Sequence, residues 1–154
     1  MTFSINDLRD SGFDGFTGLL SLDTTKVADA GGVYVVIRPA ETAAAFLTIS
    51  RGGHFKGKDP TVPVATLIAN WVPDCHTAYI GKATSLRSRL RQYRDYGQGK
   101  AVGHQGGRYI WQLADAADLQ VCWKRSDDPR GTESAMLAAF VQQYGRRPFA
   151  NLTD

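Results

Sequence analysis

The stretch Thr77-Ala78-Tyr79-Ile80-Gly81-Lys82-Ala83-Thr84-Ser85-Leu86-Arg87-Ser88-Arg89-Leu90-Arg91-Gln92-Tyr93 constrains the fold more than any other part of the chain. Thr77, Tyr79 and Ile80 are β-formers ending at a glycine, so the segment reads as a short strand, a glycine turn and then a helix. Thr84 or Ser85 can cap that helix by accepting a backbone N–H bond. At about 100° per residue, Leu86, Leu90 and Tyr93 fall on one stripe that faces a core. Arg87, Arg91 and Arg94 cluster on the solvated side. Arg89 stands apart, at the edge of the apolar stripe and roughly 40° from Tyr93. A half-buried arginine beside a tyrosine, near a strand end, is where a fixed cation would hold a phosphate.

Charge points the same way. Residues 1–81 carry six Lys/Arg against eight Asp/Glu, and the last 54 residues carry six of each sign. Residues 82–100 carry six (Lys82, Arg87, Arg89, Arg91, Arg94, Lys100) against Asp95 alone, so the net +3 originates on one helix and its exit. Such a run is commonly just a solvated face. Joined to a phosphate-holding arginine, it reads as a sequence-independent footprint for a polyanion.

The 154 residues suit one domain with a buried core. A composition of 43% hydrophobic and 21% charged residues is that of a globular protein. The first ten residues hold Asp7 and Asp10 and no apolar run, so they do not read as a signal peptide. The longest apolar run, Val33 to Ile37, is too short to cross a bilayer, so no membrane partner is expected. Cys75 and Cys122 stand 47 positions apart without zinc-type spacing. Two reduced thiols in a cytoplasm are the plainer reading, and a disulfide between them stays open.

In chain order, Ser4 caps a short first helix, with Asp7 completing a capping-box-like pattern and Ile5 and Leu8 packing. Residues 11–31, rich in Gly, Asp, Thr and Ser, read as an irregular arm laid over the domain. Val33 to Arg38 reads as a central strand covered on both faces. Phe46 to Ser50 reads as its hairpin partner after a turn at Pro39 to Ala44. Residues 51–62 form a basic, glycine-rich loop carrying Lys56 and Lys58. That loop touches nucleic acid, closes over a site, or is a surface loop bent by glycine. Pro63 opens a helix through Asn70-Trp71 that stops before Pro73. After the arginine helix comes a glycine-rich segment with His104, then Arg108–Leu113 and Leu119–Lys124 as two half-exposed antiparallel strands. Thr132 caps a last helix, Glu133 to Tyr144, ended by Gly145.

Met136, Leu137, Phe140 and Tyr144 define the buried stripe of that last helix, and Glu133 falls on it. A carboxylate on a core face is costly unless something pairs it. Either Glu133 lies in the first turn and favours the helix dipole, or it is a ligand for a hard divalent cation, Mg²⁺ or Mn²⁺.

Gly32-Val33-Tyr34 and Tyr79-Ile80-Gly81 resemble the two signature tripeptides of the GIY-YIG nuclease superfamily. Arg89 ten residues after the second tyrosine, Tyr93 one helical turn on, Lys82, Glu133 and Asn151 fit the same pattern in order. In the family the tripeptides lie close together on adjacent strands. Here about 40 residues separate Tyr34 from Tyr79, which implies an inserted hairpin and helix over 39–76. The resemblance implies a domain over 1–154, with 1–32 as N-terminal helix and arm. Its fold is an α/β (α+β) unit with a small mixed, largely antiparallel central sheet flanked by helices. Tyr34, Tyr79, Arg89 and Glu133 are then expected to converge on one face.

The resemblance further implies a metal-dependent DNA endonuclease. Tyr34 is the general base, Tyr79 supports it, and Glu133 is the metal ligand. With one strong carboxylate candidate, a one-metal site is expected. An unperturbed phenol is a poor base at neutral pH, so Lys82, Arg89 or the metal is expected to lower its pKa. Tyr93 orients the network. His104 is a proton relay or incidental, and Asn151 ties the C-terminal segment to the site or merely forms a turn. Arg87, Arg91, Arg94, Lys100, Arg108, Lys56 and Lys58 are candidates for contacts to the nucleic-acid backbone, DNA before RNA. Specificity then falls to inserts, a homodimer or a targeting partner. The alternative is a non-catalytic nucleic-acid-binding or protein-interaction module that keeps the fold.

Overall fold

A computed structural model describes residues 3–53, 59–100 and 106–152. Four strands, β1 (Asp14–Gly18), β2 (Gly32–Ile37), β3 (Thr77–Ala83) and β4 (Gln120–Arg125), form one sheet in the order β1-β4-β2-β3. Every pairing among them is antiparallel. The helices α1 (Ile5–Asp10), α2 (Val64–Asn70), α3 (Leu86–Gly97) and α4 (Pro129–Tyr144) flank it. The architecture is therefore the expected small α+β unit with a central sheet flanked by helices, and the sheet is wholly antiparallel among the described residues where a mixed, largely antiparallel one was expected.

The apolar run of β2 is buried along its whole length, as an inner strand covered on both faces requires. Alternation splits its side chains between two cores. Tyr34 and Val36 pack with Leu86, Leu90, Tyr93 and Tyr96 of α3. Val33, Val35 and Ile37 pack with Ile80, with Met136 and Phe140 of α4, and with Leu8 of α1. So α3 covers one face of the sheet, and α1 and α4 cover the other. Among the described residues no helix is long and apolar enough to cross a membrane.

Local chemistry explains the helix ends. Ser4 Oγ accepts the Asp7 N–H at 3.1 Å, and Ser85, rather than Thr84, caps α3 by accepting the Ser88 N–H at 3.3 Å. Gly145 closes α4 in the left-handed conformation. The start of α4 differs from expectation: Asp128 caps it, accepting the Gly131 N–H at 3.0 Å, and Pro129 takes the first helical position. Glu133 therefore lies beyond the first turn, and a helix-dipole role for it weakens.

Four further expectations need correction. The segment 11–31 is not wholly irregular, because β1 pairs with β4 around a bulge where Gly15 and Phe16 have positive φ. Phe46–Ser50 is not a strand: β2 already has β3 on one side and β4 on the other, leaving only a single bridge from Phe46 to Leu113. Arg108–Gln112 is a 3-10 turn entered through left-handed Gly107. Its Tyr109, Ile110, Trp111 and Gln112 are all buried, so no period of two is present. Finally, Gly81 is not a turn, since β3 runs through it to Ala83. Cys75 and Cys122 are both free thiols.

Candidate active site

The site is built across β3, the outer strand of the sheet. Tyr34 lies opposite Gly81 and Tyr79 opposite Val36, on the α3 side. The rings of Tyr34, Tyr79 and Tyr93 form a triangle with centroids 6.0, 6.2 and 5.8 Å apart. Gly81 makes room for it, because a Cβ there would overlap the Tyr34 ring. Arg89 brings its guanidinium to the phenols of Tyr34 and Tyr79 and reaches Gln92 Oε1 at 3.5 Å. It makes no ion pair with a carboxylate among the described residues.

Lys82 follows Gly81 and so points to the opposite face, where α4 supplies Glu133. Lys82 Nζ and Glu133 Oε1 are 3.2 Å apart, with the glutamate side chain only 16% exposed. The free edge of β3 between these two faces is covered by the C-terminal segment. Asn151 Oδ1 accepts the Ile80 N–H at 2.9 Å and its Nδ2 donates to the Ile80 carbonyl at 2.8 Å. Ala150 N donates to the Ala78 carbonyl at 2.9 Å. An amide side chain thus mimics the backbone of one more strand.

Tyr34, Tyr79, Arg89 and Glu133 therefore do not share one sheet face, because strand alternation separates Tyr79 from Lys82 and its partner. Tyr79 links the two halves instead, since both Arg89 and Glu133 act on its phenol. A cleft of about 260 Å³ is lined by Tyr79, Lys82, Glu133, Arg147 and Asn151 together with Gly106, Gly107, Leu137 and Leu152.

The tyrosine half is closed. Tyr93 Oη donates to the Gly107 carbonyl at 2.6 Å, and Gly106 lies against the Tyr79 hydroxyl and the Arg89 guanidinium. Tyr34 is fully buried, and its hydroxyl makes no hydrogen bond of ordinary geometry among the described residues. Burial, then the neighbouring Tyr79, pushes the Tyr34 phenol well above its ordinary value, with Arg89 opposing. Burial likewise raises Tyr79 and Tyr93, again against Arg89. The expectation of a lowered tyrosine pKa is thus reversed in this state: desolvation outweighs one cation.

The predicted backbone-binding cations are sorted by what they touch. Arg87 Nε donates to the Val27 carbonyl at 3.0 Å and Arg94 Nη1 to the Leu22 carbonyl at 2.9 Å. Arg94 also pairs with Asp95 at 2.9 Å, and Lys100 reaches the same carboxylate at 3.6 Å. Arg87 and Arg94 therefore tie α3 to the N-terminal segment instead of forming a free face. Arg91 is exposed, and Arg108 stands 5.6 Å from the centroid of the Tyr109 ring. Lys56, Lys58 and His104 lie outside the described residues. Arg147, Gly106 and Gly107 were not expected at the site; they follow or precede regular elements, where no periodicity marks a direction.

A larger cleft of about 730 Å³ lies elsewhere, between Arg38, Glu41, Trp71 and His76. Its buried cation is committed, with Arg38 Nε 2.9 Å from Asp115 Oδ2 and its guanidinium 5.5 Å over Trp71. No group of three or more His, Cys, Asp or Glu side chains is placed to share a metal ion among the described residues. A cation in the β3 cleft would thus have Glu133 as its one carboxylate. That donor set fits Mg²⁺ or Mn²⁺, which keep several waters and take phosphate oxygens beside one or two carboxylates. Comparison with protein-family models, curated proteins and solved structures gave no match to this chain.

Proposed function

We propose that the chain is a GIY-YIG-type endonuclease that hydrolyses phosphodiester bonds in DNA with one divalent cation. The observation that carries the reading is Tyr79, whose ring belongs to the tyrosine cluster and whose phenol feels both Arg89 and the half-buried Glu133 carboxylate. The Asn151 clamp beside them supports it.

Hydrolysis needs an activated water, charge compensation on the phosphoryl oxygens and a stabilised leaving alkoxide. Mg²⁺ or Mn²⁺ held by Glu133 would supply Lewis acidity toward the phosphate and the leaving oxygen. Arg89 binds the non-bridging oxygens through its fork of N–H donors. Tyr34, as phenolate, takes the proton of the water whose oxygen bonds to phosphorus as the bond to the leaving alkoxide breaks. Tyr79 donates a hydrogen bond to that phenolate, and Tyr93 holds the Gly107 turn. For water to reach Tyr34, the Gly106-Gly107 turn has to move off Tyr79 and Arg89. Lys82, 3.2 Å from Glu133 Oε1, positions that carboxylate at the cleft. Specificity for a DNA structure or sequence falls to a homodimer or a targeting partner. Two unpaired thiols fit a cytoplasmic location.

The closed tyrosine half favours a second reading, a non-catalytic nucleic-acid-binding or protein-interaction module. Cleavage of plasmid, branched and single-stranded nucleic acids separates the two. It is measured with Mg²⁺, Mn²⁺ or chelator for wild type, Glu133→Ala and Arg89→Ala. Metal-dependent cutting lost in both variants is expected. Salt-sensitive binding without cutting, weakened by Arg89→Ala alone, replaces the nuclease with the binding module.

A further inference from the structure

Two arginines follow the C-cap of α4, and they do different things. Arg146 Nη2 donates to the Ala69 carbonyl and fastens the end of α4 to α2. Arg147 is exposed and lines the β3 cleft as well as a neighbouring one against Ser134, Ala138 and Val141. Its single hydrogen bond is from Nη1 to the Leu152 carbonyl at 3.2 Å, and it has no carboxylate partner among the described residues. The cleft lining therefore holds two cations, Lys82 and Arg147, against one carboxylate that Lys82 already neutralises. An uncompensated guanidinium at the rim of a small polar cleft has the charge and the donors to take an anion. Most of its N–H donors are uncommitted, and one anchoring bond limits the freedom lost on binding.

We propose that Arg147 binds a backbone phosphate next to the one at Glu133. The bound strand then crosses the cleft from Glu133 toward Arg147, beside the C-terminal segment that covers the β3 edge, and does not follow the outer face of α3. The inference rests on the nucleic-acid reading above and fixes where the substrate lies. It also answers the fate of the arginine footprint. Arg94, which sequence places on the free face, is held by the Asp95 carboxylate and the Leu22 carbonyl, and Arg87 is part-buried against the Val27 carbonyl, whereas Arg147 is exposed and has no carboxylate partner among the described residues. The Arg147 guanidinium carries a fork that matches two phosphate oxygens at once.

The test is binding of a fluorescein-labelled DNA hairpin with single-stranded arms, read by anisotropy from 50 to 300 mM NaCl in chelator, so that nothing is cut (conditions roughly spanning the range where counterion release is measurable). Arg147→Ala, Arg147→Gln and Arg147→Lys are compared with wild type and Arg91→Ala. Glutamine can still donate to the Leu152 carbonyl but carries no charge. Arg147→Ala and Arg147→Gln are expected to weaken binding and to flatten the slope of log affinity against log salt by about 0.9. Arg147→Lys is expected to restore the slope. Wild-type slope in Arg147→Gln overturns the inference, because the residue then only braces Leu152. A slope lost in Arg91→Ala and kept in Arg147→Ala overturns it too, as does a wild type that does not bind. None of these readings depends on cutting, so loss of the nuclease reading in the cleavage assay is told apart from loss of this one.

Discussion

Gly81 and Asn151 set the site through atoms they lack or supply. A Cβ at Gly81 would run into the Tyr34 ring, which is fully buried. Gly81→Ala is expected to cost about 1–3 kcal/mol, the usual range for overpacking a filled core. Urea denaturation checks this, and an unchanged midpoint would mean the ring can move. Asn151→Ala removes both hydrogen bonds to the Ile80 backbone and leaves that N–H and carbonyl without them. A loss of about 2–3 kcal/mol is expected from two such bonds at a part-buried site. Asn151→Asp tests the geometry separately, since its ionised carboxylate sets an acceptor against the Ile80 carbonyl. Its deficit should shrink as the pH falls and the carboxyl gains a proton to donate. That Tyr34 and Tyr79 lie on strands and Arg89 and Glu133 on helices was legible in sequence, because their neighbours give those elements their period. The places of Arg147 and Gly106 were not, because loop residues take their direction from the packing around them.

Elements were legible where one local rule acted alone. The capping serines, Pro63, the stripe of α3 and the buried run of β2 each decide their element through chemistry within a few residues. Errors arose where partners distant in sequence decide. Sheet order leaves β2 no edge for Phe46–Ser50, and dense burial turns Arg108–Gln112 into a 3-10 turn despite its aromatic residues. The arginine helix shows the same limit. Periodicity placed Arg87 and Arg94 outside, but could not show that the segment carrying Leu22 and Val27 would lie there to receive them. Arg94→Ala is therefore expected to lower stability by about 1–2 kcal/mol through its lost charged hydrogen bonds. The slope of DNA affinity against salt should stay that of wild type. Denaturation and anisotropy on the same variant read both, and a flattened slope would return Arg94 to the binding surface.

At the scale of the whole molecule, stability and the proposed chemistry pull on the same phenols in opposite directions. The fold holds Tyr34, Tyr79 and Tyr93 neutral, and burial raises each above its ordinary value near 10. The native state then binds these protons more tightly than the unfolded chain. Their contribution is fully present below about pH 10 and is lost as pH rises beyond it, up to about 1.4 kcal/mol per pH unit for each tyrosine. Urea denaturation at stepped pH should be flat with respect to these groups from neutral pH to about 9 and then fall. Tyr34→Phe should remove one proton from that fall. A base must instead be ionised, and below its pKa the phenolate fraction grows tenfold per pH unit. The rate of cutting should consequently climb by about one logarithmic unit per pH unit through the neutral range and into the alkaline range. Tyr34→Phe should abolish that climb together with the activity. If the rate levels off near pH 7 while the fold still loses stability only above about 10, the bound substrate and cation have lowered the phenol at the moment of reaction. If the climb survives in Tyr34→Phe, another group takes the proton, and Tyr79, the one ring that reaches the cleft, is the residue to replace next.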